Sequence, residues 1–307
     1  MRKDLTAKKD LTAKYAKYAK RGQATGGGVG GSIAGVFRLY DAHNHFQDER
    51  LVHVRDAAIL DLRRENVRRM VVNGSCEEDW PQVRALARTY PEVIPSFGYH
   101  PWYIKERSPD WEKVLVQFLD EVPSGVGEIG LDRWIKDYDV QDQERVFVAQ
   151  LRLAAERNLP VSIHCLQAWG RLHDLLRQEP RPKCGFVLHS FGGPQEMIPS
   201  LAALGAYFSL PGYYAHERKT RQQEAFRHVP RERLLIETDA PDQLLPENRV
   251  RYPLSEPTTG KPLNHPGNLD AVYRFACELL NQSMETLARQ VEENFKRIFG
   301  SLERPGK

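Results

Sequence analysis

Six residues whose side chains commonly bind metal ions lie in or at the ends of apolar, strand-like runs of this chain. They are His43, His45, Glu128, His164, His189 and Asp239. His43 and His45 are two residues apart, so the alternating side chains of a strand would place both on one face, where they can bind one ion. Four imidazoles and two carboxylates at strand ends are the ligand set of a divalent-metal hydrolase. The sequence therefore predicts a hydrolase with a metal centre.

The elements that must position these residues are eight apolar runs. They are Val36–His43, Val67–Gly74, Val93–His100, Gly125–Leu131, Pro160–His164, Gly185–His189, Ala206–Pro211 and Leu234–Asp239. Segments with helical periodicity lie between several runs and after the last one. They are Asp110–Leu119, Gln141–Arg157, Arg171–Leu176, Pro199–Leu204, Leu269–Leu280 and Met284–Phe299, the last with Ser283 as its N-cap. This alternation predicts an α/β protein with a parallel sheet, closed as a (β/α)8 TIM barrel.

A barrel of this kind carries its site at the carboxyl ends of the strands. His100, at the end of the third run, is a further polar residue expected on that face. A single histidine is as well explained by packing or by a loop position, but five of the ten histidines fall at predicted strand ends. Glu128 could instead be a helix cap or an ion-pair partner. It lies between glycines in an apolar run, however, where a buried carboxylate without a cation is costly.

Residues 1–35 differ in composition from the rest of the chain. Residues 3–8 read KDLTAK, residues 9–14 repeat this, and a glycine-rich stretch follows over residues 26–31. We expect a disordered low-complexity tail, with the folded domain over residues 36–307. The tail has eight Lys and Arg residues against two Asp, a net charge of +6, so a whole chain of +3 leaves −3 on the domain. Charge therefore gives no argument for nucleic-acid binding by the domain. A targeting role and a translated upstream stretch are both open for the tail.

The overall composition, with 41% hydrophobic and 28% charged residues, is that of an ordinary globular protein. No apolar run approaches the ~18 residues of a membrane helix, and the start of the chain has no hydrophobic core of a signal peptide. We therefore expect a cytoplasmic protein without a membrane partner.

Several segments carry a resemblance to a known family. In chain order they are Asp41–His45 (D-x-H-x-H), Gly98–Pro101 (G-x-H-P), Gly127–Asp132 (G-E-I-G-L-D), Gln143–Phe147 with Gln150-Leu151, Leu159–His164, His189–Gly193 (H-x-F-x-G), Ile236–Pro241 (E-T-D-A-P) and Asn294–Phe299. With these motifs the chain resembles the TatD family of metal-dependent hydrolases, within the wider amidohydrolase-like barrels. The resemblance covers residues 38–300, and the joint occurrence of the motifs is highly specific.

The resemblance implies a deoxyribonuclease that cleaves phosphodiester bonds with a metal-activated water, so DNA or another phosphodiester is the expected substrate. It also implies two divalent ions, which could be Mg, Mn or Zn. Their implied ligands are His43, His45 and Asp239 for one ion, His164 and His189 for the other, and Glu128 between them. Asp239, Glu128 and His100 are the implied catalytic residues. Asp239 would orient the water or accept its proton, and His100 would hydrogen-bond the scissile group or the leaving oxygen.

Two segments depart from the family pattern. After the fifth-strand histidine the family usually has an arginine and then an acidic residue, where this chain has Leu166 and Gln167. The family's R-N-E-P segment is Leu263-Asn264-His265-Pro266 here, in a proline-rich loop that could overhang the barrel mouth. An arginine and a glutamate are therefore absent from the expected phosphate site. Two alternative functions follow: hydrolysis of another ester or amide bond, in a small molecule or an aminoacyl-tRNA, or binding without catalysis.

Overall fold

The computed structural model describes residues 37–136 and 139–302, so the tail expected over residues 1–35 lies outside the described residues. Within these ranges strands and helices alternate. The strands are β1 (Leu39–Asn44), β2 (Val67–Asn73), β3 (Val93–Phe97), β4 (Gly125–Asp132), β5 (Val161–Leu166), β6 (Phe186–Leu188), β7 (Ala206–Pro211), β8 (Leu234–Glu237), β9 (Pro253–Ser255) and β10 (Pro262–Asn264). The α-helices are α1 (Arg55–Arg64), α2 (Trp80–Thr89), α3 (Trp111–Glu121), α4 (Val140–Arg157), α5 (Trp169–Gln178), α6 (Ile198–Ala203), α7 (Thr220–Arg227), α8 (Leu269–Leu280) and α9 (Met284–Phe299).

The first eight strands form one sheet in which each strand pairs with the next in sequence order. Every pair is parallel, as the helical crossovers require. The ends of β8 and β1 meet through backbone hydrogen bonds, from Asp239 N to His43 O at 3.0 Å and from His45 N to Ala240 O at 2.7 Å. The expected (β/α)8 barrel is therefore confirmed, with β9 and β10 as a small antiparallel pair in the loop after β8.

The two C-terminal helices have the predicted bounds, and the Ser283 side chain accepts a hydrogen bond from Thr286 N at 3.1 Å, as expected of an N-cap. The first predicted run began too early, because β1 starts at Leu39. Helices α1, α2 and α7 were not predicted. No helix in the described ranges is long and apolar enough to span a membrane.

The barrel interior changes from apolar to polar along the strands. An apolar layer lies at the amino ends of the strands, where α9 covers the barrel. It includes Tyr40, Ala42, Val71, Ile94, Val187, Tyr207 and Leu235 from the strands and Phe295, Ile298 and Phe299 from α9. Two residues further along their strands, Asn73, Ser96, His189, Ser209 and Glu237 are all buried and polar. Because residues two apart share a face of a strand, this second layer lies above the first, towards the barrel mouth.

Candidate metal centre

The carboxylate of Glu128, on β4, lies at the centre of the polar mouth. Two ring nitrogens approach its Oε2 atom, His43 Nε2 at 3.3 Å and His45 Nε2 at 3.1 Å. Two others approach its Oε1 atom, His164 Nδ1 at 3.1 Å and His189 Nε2 at 2.9 Å. The four histidines that the sequence placed at strand ends are thus divided into two pairs, one beside each carboxylate oxygen.

Asp239 lies beside the first of these pairs. Its Oδ1 atom is 3.6 Å from His43 Nε2 and 3.7 Å from His45 Nε2. Its Oδ2 atom accepts a hydrogen bond from Gln243 Nε2 at 2.7 Å. The backbone of Asp239 has a φ of 51°, a left-handed conformation that non-glycine residues rarely adopt. The turn after β8 thus directs one carboxylate oxygen towards the first pair of histidines.

His100 also lies beside the Glu128 carboxylate, but its ring has a different hydrogen-bond partner. Its Nε2 atom lies 3.5 Å from Glu128 Oε1. Its Nδ1 atom accepts a hydrogen bond from the Trp102 backbone N–H at 3.1 Å. A neutral imidazole that accepts at one nitrogen carries its hydrogen on the other. His100 therefore presents an Nε2–H donor to the mouth.

In each of the other four histidines one ring nitrogen faces Glu128, and the second, here called the outer nitrogen, lies near an oxygen atom of another residue. His45 Nδ1 lies 2.9 Å from the Asn73 carbonyl, and His164 Nε2 lies 3.0 Å from Asp132 Oδ2. The remaining two distances are 2.7 Å from His43 Nδ1 to Ser162 Oγ and 3.6 Å from His189 Nδ1 to Glu237 Oε1. A carbonyl or a carboxylate can only accept, so the contacts of His45 and His164 favour a hydrogen on the outer nitrogen and a lone pair on the nitrogen that faces Glu128. His43 Nδ1 also lies 3.1 Å from the side-chain amide nitrogen of Asn73, a donor, so its contacts do not select one tautomer.

The pKa values of the histidines reflect burial and the shared carboxylate. Burial lowers the pKa of His43 to about 4, and it lowers the pKa of His100 to about 4 as well. Burial also opposes protonation of His45, but the adjacent Glu128 and Asp239 carboxylates outweigh it and raise the pKa of His45 to about 9. His43 and His100 are therefore neutral at pH 7, and of these two His43 has a ring nitrogen with a lone pair available to an ion.

The carboxylates of the mouth are shifted in opposite directions. Burial opposes the ionisation of Glu128, but the surrounding histidines hold its pKa well below its usual range. Burial raises the pKa of Asp239 to about 7, and the nearby Glu237 and Glu128 carboxylates raise it too. Burial likewise opposes ionisation of Asp132, whose pKa is nevertheless lowered to about 2 by its hydrogen bonds with His164 and Trp102.

The donor atoms present fit divalent metal ions. Glu128 is only 2% exposed, and its Oε1 atom receives no hydrogen bond from the described residues. Facing nitrogens lie close together, with His43 Nε2 3.3 Å from His45 Nε2 and His164 Nδ1 3.4 Å from His189 Nε2. A buried carboxylate surrounded by imidazole nitrogens is costly unless a cation is shared among them. Nitrogen and oxygen ligands of this kind suit Zn, Mn and similar ions.

The same donor atoms also form other combinations. Three groups in the described ranges bring one ligand atom from each member to within 4.8 Å of the others. They are His43, His45 and Glu128; His43, His189 and Glu237; and His100, Glu128 and His164. Asp239 is not a member of these groups, although its Oδ1 atom lies 3.6 Å from His43 Nε2 and 3.7 Å from His45 Nε2. The hydrogen on His100 Nε2 makes this residue a poor ligand for an ion beside Glu128.

Several residues that support the centre were not identified from the sequence. Asp132 accepts from Trp102 Nε1 at 2.7 Å as well as facing His164. Glu237 accepts from Ser190 N at 2.8 Å, and also from the Ser209 hydroxyl. Both carboxylates lie inside recognised motifs, G-E-I-G-L-D and E-T-D-A-P, so their positions carried a signal. Carboxylates that hold the outer nitrogen of a ligating histidine fix its tautomer and orientation.

The centre opens into a cleft of about 1080 Å³ at the barrel mouth. Leu166 and Gln167, the two departures after β5, both line this cleft. His265, the departure in the loop after β8, does not. Its ring stacks on Tyr252 with centroids 5.2 Å apart, and its Nδ1 atom accepts from Gly267 N at 2.9 Å. Gln243 and Glu256 of the same loop do line the cleft.

The barrel and its histidine-rich mouth define a metal-dependent hydrolase, and comparison with known proteins identifies the family. A family model described as TatD related DNase matches residues 40–300. The 3'-5' ssDNA/RNA exonuclease TatD of Escherichia fergusonii is 30% identical over 268 residues, which cover 85% of this chain and 99% of that protein. The chain belongs to the TatD family of metal-dependent hydrolases.

Two solved structures agree with this assignment. YjjV, a TatD homologue from Escherichia coli K12, has a TM-score of 0.78 and 27% sequence identity, and the match covers 86% of this chain and 99% of that one. A TatD family hydrolase from Entamoeba histolytica has a TM-score of 0.76 at 18% identity, with coverage of 85% and 98%, and supports the fold alone. The resemblance that the sequence motifs indicated is thereby confirmed.

Proposed function

We propose that the protein binds two divalent ions at the barrel mouth and uses them to hydrolyse phosphodiester bonds in single-stranded nucleic acid. One ion would be held by His43, His45 and Asp239, the other by His164 and His189, with Glu128 between the two. The observation that carries this proposal is the division of the four histidines into two pairs, each beside a different oxygen of Glu128. The identity of the metal, among Mg, Mn and Zn, is left to the experiment below.

The hydrogen-bond partners of the rings support these roles. The outer nitrogens of His45 and His164 face pure acceptors, so their inner nitrogens are available as ligands. His100 has the reverse arrangement, because its outer nitrogen accepts a backbone N–H. His100 can therefore donate from Nε2 to an oxygen of the scissile phosphate or of the leaving group. The ring contacts thus separate His45 and His164, which can act as ligands, from His100, which can act as a hydrogen-bond donor.

Two divalent ions held by these residues would supply Lewis-acid polarisation of a phosphoryl oxygen and would lower the pKa of a bound water towards ~7. Asp239 keeps Oδ1 free towards the centre because Gln243 holds Oδ2 at 2.7 Å. The Asp239 carboxylate, whose Oδ1 atom is 3.6 Å from His43 Nε2, would orient the attacking water or accept its proton. Glu128 would contribute one carboxylate oxygen to each pair of histidines.

The substrate class is proposed from the relatives and from the cleft. The relative from Escherichia fergusonii carries the name 3'-5' ssDNA/RNA exonuclease, and we infer the same direction of cleavage here. The domain over residues 36–307 carries no net positive charge, and a pocket at a barrel mouth admits an unpaired end more easily than a duplex. The relatives do not favour hydrolysis of another ester or amide bond, or binding without catalysis. A cytoplasmic location stays a prediction from the sequence.

Metal content tests the ligand set. Elemental analysis of the purified protein is expected to find two divalent ions per chain, and Glu128→Ala is expected to lose at least one of them. His173→Ala is a matched control, because His173 lies on α5 and its Nε2 atom hydrogen-bonds Ser200 outside the cleft. A metal content unchanged by Glu128→Ala would exclude the bridging role.

Activity tests the reaction. With Mg, Mn or Zn present, a single-stranded oligonucleotide labelled at its 5′ end is expected to shorten stepwise from its 3′ end. Asp239→Asn removes both a ligand and a proton acceptor, so its rate should fall by at least ~10². Glu247→Gln is the matched control, because Glu247 is an exposed carboxylate of the same loop that does not line the cleft. Absence of cleavage of any DNA, RNA or simple phosphodiester by the wild type would overturn the proposal.

A further inference from the structure

Two tryptophans are unusually exposed at the rim of the cleft. Trp102, after β3, is 53% exposed, and Trp134, after β4, is 68% exposed. Both line the cleft that contains the metal centre. By contrast Trp80 is completely buried and Trp111 is 7% exposed. An indole ring left open to solvent beside a reaction centre is a feature of binding surfaces, since each such ring leaves a large apolar area in water.

One carboxylate holds both tryptophan segments and links them to the centre. Asp132 accepts from Trp102 Nε1 and from the Trp134 backbone N–H, each at 2.7 Å, and it also faces His164 Nε2 at 3.0 Å. The ring of Trp102 also meets His100 edge-on, with centroids 5.2 Å apart. Trp134 is held through its backbone, so its exposed ring is not what fixes the loop. The Trp102 ring thus lies beside His100 and Asp132, and the Trp134 segment is anchored to the same carboxylate.

The charges of the cleft favour recognition of bases over recognition of phosphates. Eight Asp and Glu residues line it, against the three cations Arg50, Arg55 and Lys219. Arg50 is paired with Asp48 and Asp242, and Arg55 donates to backbone carbonyls. Few cations therefore remain for a phosphate backbone beyond the metal centre. Aromatic rings can bind a strand without such cations, because every unpaired base has a face that stacks.

We propose that Trp102 and Trp134 form a stacking platform for the unpaired bases next to the scissile phosphate. This inference rests on the proposed nuclease function and specifies how its substrate is recognised. A base paired in a duplex already stacks on its neighbours, whereas an unpaired base can leave the strand to stack on an indole ring. The platform therefore selects single strands of DNA or RNA with little regard to sequence.

Binding measurements separate stacking from phosphate recognition. The probes are a short oligothymidylate with phosphorothioate linkages, which resists cleavage, and an abasic strand of the same length and linkage. Binding is followed by fluorescence anisotropy with the metal-loaded protein. Trp134→Ala should bind the oligothymidylate about tenfold more weakly, the usual scale for one lost stack, and should bind the abasic strand as the wild type does. Trp134→Phe, which keeps an aromatic ring, should restore most of the affinity.

Two further variants complete the test. Leu60→Ala removes an exposed apolar side chain of α1, 53% exposed and outside the cleft, and should change neither affinity. Trp102→Phe keeps a ring but loses the hydrogen bond to Asp132, so it should bind the oligothymidylate better than Trp102→Ala. Tryptophan fluorescence of the wild type should be quenched by the oligothymidylate and less so in Trp134→Ala.

The outcomes distinguish this inference from the function on which it rests. If the wild type cleaves single strands but Trp134→Ala and Trp102→Ala bind oligothymidylate as tightly as the wild type, the stacking platform is wrong and the nuclease stands. Equal losses on the oligothymidylate and on the abasic strand would also overturn it, because the rings would then act on the backbone. If the wild type neither binds nor cleaves any single strand, both proposals fail.

Discussion

The barrel interior is apolar at its closed end and polar at its open end. The two layers are only two residues apart along the same strands. At the closed end, Val71 on β2 and Leu235 on β8 pack in one apolar cluster with Phe295 of α9. At the open end, two positions further, the same strands present Asn73 and Glu237. Since both layers are equally buried, burial alone does not distinguish them. The difference lies in whether the buried groups satisfy one another.

At the closed end, the aromatic rings of β1 and α9 pack against one another. The Tyr40 and Phe295 rings have centroids 4.8 Å apart, as do the rings of Phe295 and Phe299. Asn294, the polar residue of α9 at this end, donates to the Leu234 carbonyl at 2.8 Å and so completes the start of β8. The closed end therefore has the character of a stabilising core.

The open end keeps groups without partners and a strained backbone. Among the described residues, Glu128 Oε1, His189 Nδ1 and Asn73 Oδ1 are buried with no hydrogen-bond partner. The non-glycine residues with left-handed backbone at or beside the mouth are Gln167, Ser190, Asp239 and Gln243. Unpaired polar groups and unusual backbone conformations both cost stability and cluster at functional sites. Stability and chemistry are thus carried by different positions of the same eight strands.

The largest effect is expected at the closed end. Phe295→Ala removes a fully buried ring, so the free energy of unfolding should fall by about 3–5 kcal/mol. The metal content and the kcat of the folded protein should stay near the wild-type values, because the centre lies at the other end of the strands. Urea unfolding and single-strand cleavage below the transition measure the two quantities. Phe295→Leu, a smaller loss, covers the case in which Phe295→Ala does not fold.

At the open end we expect the opposite result, a loss of activity with little loss of stability. Asp239→Asn should lose activity while its unfolding midpoint in the absence of metal changes little, because it removes a charge that burial already disfavours. A Phe295 variant that folds but has lost its metals, or an Asp239→Asn protein that unfolds as readily as Phe295→Ala, would contradict the separation of the two ends.

An intermediate effect is expected from His265, which is buried outside the mouth. Burial lowers its pKa from 6.5 to about 4, although Asp61 Oδ2 lies 3.9 Å from its Nε2 atom. Between these pH values the unfolded chain binds more protons than the folded one, so stability falls as the pH falls from 6.5 towards 4. His265→Asn keeps an acceptor for Gly267 N and should remove about 3 kcal/mol of this acid-induced loss.

Urea unfolding at a series of pH values from 7 down to 4 measures the effect of His265→Asn as a difference from the wild type. The difference isolates this histidine from His43 and His100, whose lowered pKa values act in the same direction. Parallel curves for the two proteins would show that His265 takes up its proton as easily folded as unfolded, so burial alone would not explain its behaviour.

Much of the fold and of the site was readable from the sequence, because both rest on local patterns. The α8 and α9 helices have strong apolar periodicity and an N-cap at Ser283. His43 and His45 follow from strand alternation, and the placement of the six candidate ligands follows from the rule that barrel sites lie at strand ends. Helix α7 was missed because it is short, with only Ala225 and Phe226 buried.

The remaining features depend on contacts between residues distant in sequence. Asp41 accepts from the Thr238 hydroxyl at 2.6 Å, across 197 positions, and no pattern in either motif indicates this pair. The assignment of His100 as a donor depends on the direction of one backbone N–H, that of Trp102. The exposure of Trp134 could not be read from a segment that contains alternating apolar and charged residues. The tautomer of His100 and the exposure of Trp134 depend on the folded barrel mouth, so neither could be predicted from the sequence.

The smallest effect is expected from Leu166, where the family usually has arginine. Leu166 is half-buried in the cleft wall at the end of β5. Leu166→Arg would place a cation beside the strand, and an exposed ion pair contributes up to ~1 kcal/mol, so KM for single-stranded DNA should fall by about fivefold at most. The kcat should change less, because the contact is made equally in the ground state and the transition state. Steady-state kinetics on one oligonucleotide measures both.

Salt dependence identifies the cause of the Leu166→Arg effect. A new phosphate contact should steepen the loss of affinity with rising salt by about 0.7 in the logarithmic slope for a single strand. Leu166→Met is the matched control, since it keeps an apolar side chain of similar volume and should leave both KM and its salt dependence unchanged. A lower KM with the same salt slope as the wild type would mean that the arginine stacks on bases and does not pair with phosphate. The added residue would then extend the aromatic recognition proposed for Trp102 and Trp134, and the open end would bind its substrate mainly through bases.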